Sequence, residues 1–161
     1  MNILFVCTGN ICRSPTGEAV LRRMADAAGL GDSVTVESCG THAYHIGQPP
    51  DAQARMAGER RGYDFSGQRA RQICAEDFDR FDLILAMDGG HLDRLRRAAP
   101  AGRSDRLHRL HRFLDFAPGA GRRDVPDPYC GGAEDYELAL DLIEAGCRGI
   151  VAMLLEERQT A

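Results

Sequence analysis

The 161-residue chain has 43% apolar and 27% charged residues, the balance of a globular protein, and its length suits one domain that buries about 70% of the surface its unfolded form exposes. Its net charge is −4 and all 20 of its basic residues are arginine. That excludes lysine Schiff-base chemistry and a P-loop lysine, gives no reason to expect nucleic acid as a partner, and leaves arginine as the side chain that would grip an anion. No apolar run approaches the roughly 18 residues of a membrane span, and the apolar start of about five residues is too short for a secretory leader. A cytoplasmic protein without membrane contact is expected.

Residues 2–7, NILFVC, form a short continuous apolar run ending in a glycine-containing loop, the pattern of a buried parallel strand. SPTGEAVLRRMADAAG then predicts a helix, with Ser14 as its cap, Pro15 in its first turn and Gly29 at its stop. Residues 33–40 alternate with period two and predict a second strand. A polar loop and a helix over about 51–61 follow. FDLILAM (81–87) predicts a third strand, and Asp88 opens the helix after it. LHRLHRFLDF (107–116) fits a short strand or a helix. Residues 117–135 read as a long surface loop, of the kind that is often functional. From about Ala133 to Arg158 apolar residues recur at helical spacing, with Gly146 and Gly149 expected to weaken the middle. Strands alternating with helices predict an α/β fold: one domain over 1–161, with a mainly parallel, four-stranded twisted sheet covered by helices on both faces. In such folds the ligand sits at the carboxyl ends of the strands, where Cys7 falls.

Six cysteines in a chain of this length and spread predict free thiols rather than a disulfide framework. Cys7 and Cys12 have no second close pair with which to hold zinc, and the five histidines show no ligand spacing, so no metal is expected. His42, His45, His91, His108 and His111 read as surface or locally hydrogen-bonded residues. Cys39, Cys74 and Cys147 read as space-fillers.

The segment CTGNICRS can do something specific at a strand-to-helix turn. Backbone N–H groups from Thr8 to Arg13, through Gly9, Asn10, Ile11 and Cys12, would curl around one point. The helix start adds its positive end and Arg13 a bidentate grip. Gly9 and Asn10 tolerate the left-handed backbone that a tight curl requires. A tetrahedral oxyanion fits such a cradle, and the same field favours the ionised sulfur of Cys7, aimed at the bound group. Attack on a phosphate ester would give a cysteinyl-phosphate, and a nearby carboxylate would serve the leaving group and then water. DVPDPY offers Asp127, fixed between two prolines and next to Tyr129, with Asp124 as the rival.

In chain order, VCTGNICRSP, ESCGTHAYHIGQPPD, RARQICAEDFDRFDLILAMD and DVPDPY resemble the phosphate loop, substrate wall, central segment and acid loop of the low molecular weight protein tyrosine phosphatases. The resemblance covers nearly the whole chain. It implies a protein-tyrosine phosphatase without a cofactor, with Cys7 as nucleophile, Arg13 as phosphate and transition-state ligand, and Asp127 as general acid and then base. It implies that Ser14 donates to the Cys7 sulfur, that Asn10 holds the loop through a hydrogen-bonded network, and that Ser38 supports it. Gln68 stands where many members carry histidine, and Cys130 replaces a frequent second tyrosine after DPY.

Tyr44 and Tyr129, in a chain with no tryptophan, are expected to wall the cleft for an aryl phosphate. Cys12 leaves two readings open: packing, or a reversible disulfide with Cys7. The arginines 94, 96, 97 and 106 read as a solvated face. Phosphotyrosine proteins, a bacterial tyrosine kinase among them, are the expected partners, and a monomer the expected unit. A thiol-dependent arsenate reductase is the alternative, since arsenate is also a tetrahedral oxyanion. That chemistry needs further closely spaced cysteines, and Cys74 stands alone in its region.

Overall fold

β1 (Asn2–Cys7) is buried on both faces, which is why its sequence is apolar without alternation. Ile3, Phe5 and Cys7 enter one hydrophobic cluster, while Leu4 and Val6 enter a second on the other side. The structure is a computed structural model that describes residues 1–102 and 104–160. β1 pairs in parallel with β2 (Thr35–Gly40) and β3 (Leu83–Ala86), and β3 pairs in parallel with β4 (Leu110–Arg112), giving the order β2-β1-β3-β4. Every pairing is parallel, as the alternation of elements predicts. The register sets Cys7 beside Gly40 and Val6 beside Ala86, so the carboxyl ends of the central strands meet at the β1 exit.

The first cluster lies under α1 (Arg13–Ala27) and α5 (Ala133–Thr160), with α2 (Ala52–Arg60) packed beside them. Its centre includes Phe5 and Phe113, edge to face with centroids 5.2 Å apart. The second cluster lies under α4 (Gly89–Ala98) and the single-turn α3 (Asp77–Arg80), where Phe78 and Phe81 are fully buried. Each such ring contributes about 1.5–3 kcal/mol of burial.

Three local expectations change. α1 begins at Arg13, and its cap position, Cys12, makes no side-chain cap bond. Ser14 is not the cap; it lies buried within the first turn and bonds to Cys7 instead. The ambiguous segment 107–116 divides into 3-10 turns at Ser104–Arg109 and Phe113–Phe116 around the three-residue β4. α5 runs unbroken through Gly146 and Gly149, because both glycines are sites of close packing: a Cβ at Gly149 would land on the Phe116 carbonyl, and one at Gly146 on the Phe113 ring. Cys39 and Cys147 are buried as expected, whereas Cys74 is exposed and fills no core space.

Candidate active site

The loop leaving β1 begins at Thr8, and its backbone N–H groups from Thr8 to Arg13 donate to no protein acceptor among the described residues. Buried or half-buried donors left this way can serve an external oxyanion. Asn10 takes the left-handed conformation, φ +58°. Gly9 does not, contrary to the expectation from its type; its missing side chain makes room for His45, whose Cδ2 would sit 2.7 Å from a Cβ there. Gly40 passes so close beneath the loop that a Cβ would lie 2.6 Å from the Thr8 carbonyl oxygen.

Asn10 is buried and spends its amide in three directions. Nδ2 donates to Ser14 Oγ at 2.8 Å and to Ser38 Oγ at 3.0 Å, while Oδ1 accepts from the Arg71 N–H at 3.0 Å. Ser14 Oγ sits 3.0 Å from Cys7 Sγ and also donates to the Cys39 carbonyl. Ser38 donates in turn to the buried carboxyl of Glu18. Burial pushes the Glu18 carboxyl up from its ordinary range, opposed by Ser38 and Arg22. Glu18, which helix patterning alone leaves without a role, anchors this chain. Gln68 donates to the Pro15 carbonyl at 2.9 Å, and its buried Oε1 has no partner. It braces the start of α1 without bonding to Asn10.

Arg13 is 4% exposed, and its guanidinium is held before any ligand arrives. Nη1 donates to Asp88 Oδ2 at 2.9 Å and to the Val125 carbonyl at 3.0 Å. Val125 is itself tied by its N–H to the Met87 carbonyl at 2.9 Å, which anchors the acid loop to the end of β3. Asp88 caps α4 through Oδ1, which accepts from the His91 N–H at 2.8 Å. Burial alone would raise the Asp88 carboxyl, but that N–H, His91 and Arg13 outweigh it and hold the group below its usual range.

His91 is buried rather than superficial. Its Nε2 is 2.8 Å from Thr8 Oγ1 and its Nδ1 is 3.2 Å from Asp88 Oδ1 without the alignment of a hydrogen bond. Burial pushes the imidazole down to about 4, so it sits neutral beneath the loop. Helix spacing gives no hint of this contact, which spans 83 positions.

Asp127 and Asp124 part company. Asp127 Oδ2 lies 3.5 Å from Arg13 Nη2, and Oδ1 accepts from the Tyr129 N–H at 3.1 Å. Asp124 accepts instead from the Gly89 N–H at 3.0 Å and pairs with Arg112 at 3.4 Å. Only Asp127 lines the cleft, a cavity of about 260 Å³ bounded also by Cys7, Thr8, Gly9, Ile11, Cys12 and Arg13.

Tyr44 and Tyr129 line the cleft as exposed side chains, and His45 joins them. Tyr44 stacks on His42 with centroids 4.8 Å apart, and Tyr129 meets His45 edge to face at 6.2 Å. Asn10, Ser14, Ser38 and Gln68 lie beneath the cleft rather than on its surface. Cys12 is a buried free thiol, pushed far up by burial, Asp51 and Cys7, and therefore stays protonated. No group of three or more potential metal ligands occurs among the described residues, and no helix there is long and apolar enough to cross a membrane.

Residues 2–160 match the model of the low molecular weight phosphotyrosine protein phosphatase family. A low molecular weight protein-tyrosine-phosphatase of Streptomyces coelicolor is 43% identical over 155 residues, which cover 96% of this chain and 94% of that protein. Among solved structures, a protein tyrosine phosphatase of Entamoeba histolytica with Hepes in its active site is 34% identical, with a TM-score of 0.92 over 98% of this chain and 99% of that one. Vibrio vulnificus Wzb in complex with benzylphosphonate is 32% identical, with a TM-score of 0.81 over 94% and 97%. The arsenate reductase alternative draws no support from these relatives. A cysteine and an arginine at the two ends of a loop of free N–H groups, on a chain matched over nearly its full length, place the protein in the low molecular weight phosphotyrosine protein phosphatase family.

Proposed function

We propose that the chain hydrolyses phosphotyrosine and other aryl phosphates through a cysteinyl-phosphate on Cys7, with Asp127 moving the proton in both steps. The observation that carries this is the meeting of Cys7, Arg13 and Asp127 in one cleft whose walls are Tyr44 and Tyr129. The loop N–H groups and Arg13 hold the phosphoryl oxygens, and their donors strengthen as charge spreads over those oxygens in the transition state. The bound dianion takes over Arg13 Nη2 and frees Asp127 towards the leaving oxygen.

In the first step the sulfur–phosphorus bond forms, the phosphorus–oxygen bond to the ring breaks, and Asp127 gives its proton to the departing phenolate. In the second, Asp127 takes a proton from water, the new phosphorus–oxygen bond forms, and the sulfur leaves as thiolate. Ser14, 3.0 Å from that sulfur, turns its hydroxyl proton from the Cys39 carbonyl to the sulfur as its charge returns. The benzylphosphonate held by Wzb, a phenyl ring joined through a methylene to a tetrahedral phosphorus oxyanion, has the shape this cleft would take.

The same reading makes residues 1–161 one catalytic domain, supported by the family match over 2–160. It takes phosphotyrosine proteins as partners, a bacterial tyrosine kinase among them, with a cytoplasmic monomer as the working unit. Aryl phosphate turnover in the presence of a chelator tests the activity, and Cys7→Ser should abolish it while retaining oxyanion binding. Asp127→Ala should slow esters of poor leaving groups by roughly 10²-fold or more, and esters of good leaving groups far less. Full activity of Cys7→Ser overturns the mechanism. Equal losses on both esters remove Asp127 from the acid role.

A further inference from the structure

A second cavity of about 270 Å³ is lined by Thr41, whose backbone bonds to Cys7, and by Ile73, Arg94, Leu95, Arg97 and Ala98. We propose that it is a subsite for an acidic side chain of the peptide whose phosphotyrosine occupies the Cys7 cleft. The proposal rests on the reading of that cleft given above.

Two structural links join the cavities. Thr41 donates its N–H to the Cys7 carbonyl at 2.8 Å, and its hydroxyl is 2.8 Å from Nδ1 of His42, which stacks on Tyr44. On the other side, His91 touches Thr8 of the phosphate loop, and Arg94 and Arg97 lie one and two turns further along α4. That is about 4.5 and 9 Å along the helix axis from His91, a span of about one to three residues of extended peptide.

The chemistry of the lining selects the ligand. Arg96 turns to Asp93 at 3.6 Å, but Arg94 and Arg97 have no acidic partner among the described residues. They stand over an apolar floor of buried Leu95 and half-buried Ile73. An apolar floor accepts the methylenes of a glutamate and lowers the local screening of its carboxylate against the two guanidinium groups. On a chain of net charge −4, two unneutralised arginines next to the cleft also steer an acidic peptide towards it.

The test compares phosphotyrosine peptides carrying Glu, Gln or Lys two and three positions from the phosphotyrosine on either side, with a small aryl phosphate as the reference. Wild type should favour the Glu peptide over the Gln peptide by about fivefold in kcat/KM at low ionic strength, the effect of two exposed ion pairs, and less as salt rises. The double substitution Arg94→Gln and Arg97→Gln should remove that preference and leave turnover of the small ester unchanged. The double substitution to Glu should shift preference to the Lys peptide. A double Gln variant that keeps the Glu preference, or slows Glu and Gln peptides alike, overturns the subsite. A peptide with a second phosphotyrosine in place of the Glu residues separates phosphate from carboxylate as the bound anion; a gain with it and none with Glu overturns the assignment to acidic residues. Loss of turnover on the small ester by wild type would instead sink the reading of the cleft itself.

Discussion

Asp88 holds Arg13 at 2.9 Å with one carboxylate oxygen and caps α4 with the other. One side chain thus starts a helix and aims the guanidinium that faces the phosphate cradle. Asp88→Asn keeps an oxygen for the cap but removes the negative charge that faces Arg13. Expected is a fall of about tenfold in kcat/KM for aryl phosphates, led by a higher KM, with little change in melting temperature. Asp88→Ala should add a stability loss of about 1 kcal/mol from the missing cap. Unchanged kinetics in Asp88→Asn would mean that Val125 alone suffices to hold Arg13.

Asn10 combines a left-handed backbone with a three-way amide, and two substitutions separate the contributions. Asn10→Gly removes the hydrogen bonds to Ser14, Ser38 and Arg71 but keeps φ +58° at low cost. Asn10→Ala removes them and adds strain of about 1 kcal/mol. Both should lower kcat, with Asn10→Ala the less stable of the two by about that amount in urea unfolding. Equal stability would show that the loop relaxes away from the left-handed state.

His91 stays neutral in the fold because burial lowers it to about 4, whereas an unfolded histidine titrates near about 6.5. Between these values the unfolded chain binds the extra proton, so His91 makes stability rise with pH by up to about 1.4 kcal/mol per unit across that window. Its contribution is lost as pH falls towards 4, and below that both forms are protonated. Urea midpoints measured from about pH 4 to 7 should show this slope in wild type and a flatter profile in His91→Asn. The lowered Asp88 adds a loss of its own only at lower pH, as acid protonates it through its folded value. An unchanged slope in His91→Asn assigns the proton uptake elsewhere.

Gly149 lets α5 lie directly on the Phe116 carbonyl. Gly149→Ala would raise helix propensity by about 1 kcal/mol if the position were free. In this packing it should instead destabilise by about 1–3 kcal/mol, since backbone must move to admit the methyl. A higher melting temperature in Gly149→Ala would contradict the close approach.

Much of this protein is local in origin and therefore legible along the chain. The unbroken apolar run of β1 implies a strand covered on both sides, and CTGNICRS carries its donors, its sulfur and its arginine within eight consecutive positions, so no distant contact is needed to suspect an oxyanion cradle. DVPDPY supplies two carboxylates, and sequence alone cannot choose between them. The tertiary structure decides: the Val125–Met87 bond anchors the loop so that Asp127 faces Arg13, while Asp124 turns to the start of α4. Glu18 beneath Ser38, His91 against Thr8 and Asp88 against Arg13 were likewise decided by packing, because each contact joins separate elements and no periodicity encodes a partner across them. Composition and spacing determined the chemistry available at the end of β1; the meeting of β1, β3, α4 and the acid loop determined which side chains hold it in place.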